Sequence, residues 1–415
     1  MQRPSRLGPL LLILAALVFV ANVLALHPPR FGGDTSRYVD GARHLLGGMP
    51  FQEKETSYIG YDAVVAAAIS AGSGPVAVVT LQIVMTIAAA LVLRRMGREL
   101  YGEAGGVAAA ILVLVNRDVA LWASYLLTDS LYISFVAFAV CAIHEARTRR
   151  RVLLAVAVVA FTALLRPNGW LFVPIAAAWW LVRWMESTGK PRRNGALAIA
   201  AVIVAFIALA ALAPPLRKGV DAESPVENLR RGTVIWGWPR WRLSMPPDDR
   251  HGSALSDGVR YAAAHPLASA KLALVRAGVE VAHARTFYPS DRNTVILFFY
   301  PALYALAIVG WWRARRHPLA RLALIVIAAH LLLVAATFAD YDGRFLMYVV
   351  PLLSLYAGGG VVRLLARAGG TPPVSPPDRS TPARNADCAA HTAARASLRP
   401  PACPGGGIAT PAPSL

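Results

Sequence analysis

The stretch "RFGGDTSRYVDGARHLLGG" (30–48) sets one acid, Asp34, among arginines directly after an apolar run. Charges beside hydrocarbon are costly and usually face a partner. Glycine pairs in front and behind are natural stops for a helix of about 35–46. Asp34 at its start has two compatible readings: an N-cap for the first free N–H groups, or a general base for an incoming hydroxyl. Arg37 and Tyr38 follow at i+3 and i+4, so the three side chains can project to one side. Asp129 in "YLLTDSLYI" begins a later apolar run and is read either as an N-cap, shared with Thr128, or as a substrate-binding member of the site. Arg166 in "LLRPNGW" either snorkels, pairs with a buried acid, or meets an anionic ligand. Arg344 in "DGRFLMY" either anchors a helix end or binds phosphate. Lys54 and Tyr58 in "QEKETSYIGYD" belong to a solvated loop or to the same site. One carboxylate among several cations suits an anionic lipid headgroup, with Arg making bidentate contacts and Lys acting as a point charge.

The chain that must position these residues has 415 amino acids, 56% of them hydrophobic and 16% charged. Its mean hydropathy is +0.49, too apolar for an ordinary soluble domain. The expected class is all-α, a polytopic helical membrane protein. The net charge of +19 is read first as topology, and no nucleic-acid partner is expected. Cys141 lies in an apolar run and Cys388 and Cys403 near the end, a spacing that fits neither a metal site nor a disulfide framework. The chain contains no internal repeat and no nucleotide-binding glycine motif.

Apolar runs of spanning length fall near 9–26, 75–93, 104–121, 129–145, 196–213, 293–311, 319–337 and 345–363. Residues 9–26 resemble a signal-peptide core but lack a small-residue cleavage site, so they are kept as a first span. The region 152–182 is interrupted at Arg166–Gly169 and flanked by "EARTRRR" and "RWMESTGKPRR". Two basic flanks on one side require an even number of crossings, hence a hairpin of two short helices. Its tip, carrying Arg166, then lies within the bilayer's depth rather than in bulk water. The expectation is about ten spans with both termini cytoplasmic. Two outer loops, about 27–74 and 214–292, carry interfacial helices near 61–72 and 256–284. Residues 1–367 form the membrane domain. The Pro-, Gly- and Ala-rich segment 368–415 reads as a disordered cytoplasmic tail.

A first span followed by "GDTSRYVDGARHLLGGMPF" resembles the first outer loop of polyprenyl-phosphate-dependent glycosyltransferases with a GT-C fold. This group includes protein O-mannosyltransferases, aminoarabinose transferases and RgtA/B/C/D-like enzymes. "YLLTDSLYISFVAFAV", "LLRPNGWLFVP", "AHPLASAKLALVRAG" and "GRFLMYVVPLLSLYAGG" agree in order and spacing over about residues 9–365. The resemblance implies a sugar donor linked through phosphate to a polyprenol. It implies transfer at the outer face of the cell membrane to a lipid, glycan or protein acceptor, usually with inversion. Asp34 matches the acid that activates the acceptor or organises the site, and Asp129 a second acid. Lys54, Arg166 and Arg344 match basic positions near the lipid phosphate. The chain departs from the group by reading "KETSY" where relatives have Lys-Pro-Pro. Relatives often carry adjacent acids where Asp34 stands between Gly33 and Thr35, so a divalent cation is admitted but not required. A transporter or flippase of a lipid-linked envelope precursor would share an arginine-lined cavity and is the alternative. It would tolerate Asp34→Asn better than a transferase would.

Overall fold

The computed structural model describes residues 7–52, 55–188, 225–247 and 255–368. Among these the chain is helical, and β-pairing is confined to three isolated bridges. The expected span at 196–213, the residue Lys54 and the tail beyond 368 lie outside the described residues.

The first helix, α1 (Leu7–Ala25), buries Leu12, Ala15, Phe19 and Val23 at helical spacing. Its other face exposes Leu10, Ile13, Leu14 and Leu17. A helix apolar all round but packed on one stripe is built for lipid on the rest. Next come α2 (Thr35–Gly47) and α3 (Ile59–Ser70), the two helices of the first loop. The helical run α4 (Gly74–Leu114) turns back on itself at Gly102, whose φ is 80°. A Cβ at Gly97 would crowd Gly106, and one at Gly106 would overlap the Arg94 carbonyl, so the two arms touch backbone to backbone. One helical run thus holds two of the expected spans. The second arm ends at Leu114 rather than near 121, because the Asn116 side chain caps Asp118 and Val119 and starts the separate short helix α5 (Arg117–Ser124).

Beyond it, α6 (Asp129–Glu145) matches its expected span. The region 152–182 is a hairpin: α7 (Arg149–Leu165) and α8 (Phe172–Ser187) pack on each other across a 3₁₀ turn, Pro167–Leu171. The second loop contributes α9 (Pro225–Arg230), α10 (Leu255–Ala264) and α11 (Pro266–Ala282), the last two divided at Pro266. The chain finishes with α12 (Ser290–Ala314), α13 (Pro318–Ala336), one turn α14 (Arg344–Met347) and α15 (Val350–Ala368). The α1, α4, α12 and α13 helices are long and apolar enough to cross a membrane. The core joins α4, α6, α12, α13 and α15.

Two stitches hold the loops that carry the polar residues. In the first loop Arg30 bridges Tyr125: the Arg30 amide donates to the Ser124 carbonyl at 2.8 Å, and the Leu126 amide donates to the Arg30 carbonyl at 2.9 Å. The Thr35 hydroxyl donates to the Leu126 carbonyl at 3.2 Å. In the second loop Ile235 bridges Ala339, just before Asp340. Arg276, 1% exposed, supports that stitch by donating to the carbonyls of Thr233, Asn228, Ala335 and Ala336. Trp238 packs on Phe287 and Tyr341, ring centroids 4.6 and 5.8 Å away.

Helices α12 and α15 approach through small residues, and a Cβ at Gly310 would overlap the Tyr356 carbonyl oxygen. Gly310→Val is expected to cost about 1–3 kcal/mol by overpacking, read as a lower unfolding midpoint in detergent. An unchanged midpoint would show that these helices do not meet so closely.

Candidate active site

The first stitch brings the start of α2 beside the start of α6, and the second brings the loop before α14 to the same place. Arg344 occupies the centre. Its Nη1 donates to Asp34 Oδ2 at 3.1 Å and lies 4.0 Å from Asp129 Oδ2. Its Nε donates to Asp340 Oδ1 at 2.8 Å. Arg37 meets the other Asp34 oxygen at 3.3 Å. Beneath them Arg166 Nη1 donates to Asp129 Oδ1 at 2.7 Å and to the Thr128 hydroxyl at 2.9 Å. The Tyr348 hydroxyl donates to the same Asp129 oxygen at 2.6 Å. Three carboxylates, Asp34, Asp129 and Asp340, therefore face three guanidinium groups, Arg37, Arg166 and Arg344.

The two acids expected from sequence play different parts. Asp34 stands at the N-cap position of α2 yet makes no capping bond, and its side chain, 29% exposed, turns to the arginines. Just before the helix the Gly32 amide donates to the Thr35 hydroxyl. Burial alone would raise the Asp34 carboxyl. The charges of Arg344, Arg37 and Arg166 and the Arg344 hydrogen bond outweigh it and hold the group below the usual carboxylate range. Asp34 is thus ionised and reachable.

Asp129 makes no cap either, has 0% exposure and belongs to Arg166 and Tyr348. Arg166 is 5% exposed, so of its sequence readings the pairing with a buried acid is the one observed. Tyr38, expected to face ligand beside Asp34, is buried instead, edge-to-face with Tyr58 and Tyr61 at 5.3 and 5.0 Å. At i+4 it turns under α2, whereas Arg37 stays at the rim. Tyr58 is half-buried between the arginines, its ring 5.7 Å from the Arg37 and 5.9 Å from the Arg166 guanidinium.

Several members of the site escaped the sequence. Asp340 and Tyr348 flank Arg344 at i−4 and i+4 in a motif where only the arginine drew notice. Asp342 is half-buried beside them, and burial and Asp340 raise its carboxyl against the pull of Arg344 and Arg292. Glu280, at the end of α11, accepts the backbone amides of Asp340 at 3.0 Å and Leu346 at 2.8 Å, and so frames the loop that presents Arg344. No periodicity announces a residue that works through another segment's amides. Among the described residues no three His, Cys, Asp or Glu side chains group to ligate a metal. The site carboxylates instead face guanidinium groups.

No protein-family profile matches the chain, and no curated protein sequence matches it. Solved structures do. The Archaeoglobus fulgidus oligosaccharyltransferase tethered to an acceptor peptide superposes with TM-score 0.50 at 13% identity, over 88% of this chain and 50% of that one. The same archaeal enzyme with an inhibitory peptide and a dolichol-phosphate gives 0.49 at 16% identity, over 91% and 53%. ArnT from Cupriavidus metallidurans gives 0.48 at 14% identity, over 87% and 60%. The chain spans about half the length of the oligosaccharyltransferase it matches. At these identities the likeness concerns the fold alone: the chain has the GT-C fold of membrane glycosyltransferases.

Two measurements probe the site's foundations. Removing one partner of a buried ion pair strands the other, so Arg166→Met is expected to cost about 3–5 kcal/mol in thermal or denaturant unfolding. Pairing it with Asp129→Leu is expected to recover most of that loss, and a double variant no better than the single would refute the pairing. Separately, Asp62 on α3 lies fully buried against Gly41, with both carboxyl oxygens unbonded among the described residues. Burial, with Glu55 beside it and against Arg37, pushes its carboxyl up to about 8 from 3.8. Between those values the unfolded chain binds fewer protons, so stability is expected to fall as pH rises through that window. Asp62→Asn should flatten that decline in unfolding midpoints taken across the range.

Proposed function

We propose that the protein is an integral membrane glycosyltransferase. It moves a sugar from a polyprenyl-phosphate-linked donor to an acceptor hydroxyl at the outer face of the cell membrane. About ten spans place both termini in the cytoplasm. The observation that carries this reading is the meeting of four distant segments in one network of ion pairs, in which Asp129 and Asp340 are buried and Asp34 is not. A scaffold has no need of an ionised, reachable carboxylate held between two arginines.

In this reading Asp34 accepts the proton of the acceptor hydroxyl as its oxygen bonds to the anomeric carbon. The bond from that carbon to the phosphate oxygen breaks, and the electron pair leaves on the polyprenyl phosphate. Arg344 and Arg37, the rim cations, balance the phosphate charge, and Lys54 is assigned to the same task. Tyr58 lines the approach beside Arg37. Asp129 and Arg166 do not touch substrate: together with Tyr348 they fix the floor on which Arg344 rests. The acceptor is a lipid, glycan or protein, and the chemistry is positioning and electrostatics.

The test is transfer from labelled polyprenyl-phosphate sugars to a cell-envelope extract by purified protein. Asp34→Asn is expected to lower the rate about 10²–10⁴-fold while the protein stays folded. Undiminished labelling by the variant would refute the role of Asp34. Movement of intact lipid-linked sugar across vesicles, without transfer, would favour a flippase.

A further inference from the structure

We infer that the Asp34–Arg344 ion pair is exchangeable: an anionic phosphodiester headgroup takes Arg344 from Asp34, and the released carboxylate becomes available to the acceptor. This rests on the transferase reading and adds an order of events to it. The starting point is charge balance. Each guanidinium at the site among the described residues already faces a carboxylate. A phosphate headgroup therefore gains one of these guanidinium groups for itself only by displacing an acid.

The three acids differ in how firmly they are held. Asp129 is closed off and bonded by Arg166 and Tyr348. Asp340 is also buried, and its Oδ2 accepts the backbone amides of Asp342 at 2.9 Å and Arg344 at 3.2 Å, which ties it to its own loop. Asp34 is bonded only through arginine side chains, has no capping bond, and opens to solvent. It alone can swing into water without leaving a buried group stranded. Arg344, at 17% side-chain exposure, is within reach of a headgroup at the rim, whereas Arg166 is sealed beneath. With an anion on Arg344, Asp34 loses its strongest cationic neighbour and gains a negative one, so its proton affinity rises when the donor is in place. Before that, the pair keeps the carboxylate engaged. The remaining charged groups around the pair are Arg37 on α2 and Arg166 at the hairpin turn, which act on Asp34, and Asp129 on α6 with Asp340 and Asp342 before α14, which surround Arg344.

The experiment measures equilibrium binding of a fluorescent short-chain prenyl methyl phosphodiester to the full chain in detergent. This probe carries one negative charge that does not titrate near neutrality. Asp34→Asn removes the competitor and is expected to bind it about two- to fivefold tighter than wild type, the range a partly exposed pair supplies. Wild-type affinity is expected to rise as pH falls through the carboxylate range, and the variant to lack that slope. Arg344→Gln is expected to weaken binding at least about tenfold. Equal or weaker binding by Asp34→Asn, or the same pH slope in both proteins, would overturn the exchange. The transfer assay separates the two ideas. Tighter binding with retained transfer removes the base and leaves the exchange standing, whereas lost transfer with unchanged binding does the reverse.

Discussion

Asp129 has no exposed surface, and a lone carboxylate in that position would cost several kcal/mol. Its neutralisation governs the architecture around it. Arg166 must come from the α7–α8 hairpin tip and Tyr348 from the turn before α15. Arg344 then sits within 4.0 Å of the same carboxylate and reaches forward to Asp34. One buried charge thus ties three parts of the helical bundle to the loop that carries Asp34. The inner pair is dry, and the outer pair is partly exposed.

The loops reach this centre without a sheet. Single bridges, Arg30 to Tyr125 and Ile235 to Ala339, register them against the bundle. Buried side chains complete the job by bonding carbonyls and amides: Arg276 to four carbonyls, Glu280 to two amides, Arg285 to the Asp340 carbonyl at 3.1 Å. Irregular backbone packed against a bundle leaves polar groups that water would otherwise satisfy, so long polar side chains take water's place. The precision of the site depends on these loop-to-loop contacts as much as on the helices.

A GT-C fold suits such a site. The structure adds that the cations are already balanced by the protein's own acids. A charged cluster at a membrane boundary that is neutral as a whole avoids the self-repulsion and desolvation of bare arginines.

The sequence by itself determined the helices and their class. Apolar runs, basic clusters, glycine stops and Pro266 are local signals, and α1, α2, α6, α12, α13 and the 152–182 hairpin follow from them. It also picked out Asp34, Asp129, Arg166 and Arg344 by residue type at apolar boundaries. Only the tertiary structure decided their partners. Whether Asp34 caps its helix or faces Arg344, whether Tyr38 points to ligand or packs on Tyr61, and that Asp340, Tyr348 and Glu280 belong to the site all depend on segments up to 310 residues apart. Helix formation is a matter of neighbours along the chain, whereas the pairing of buried charges is settled by which side chains are shut away from water together.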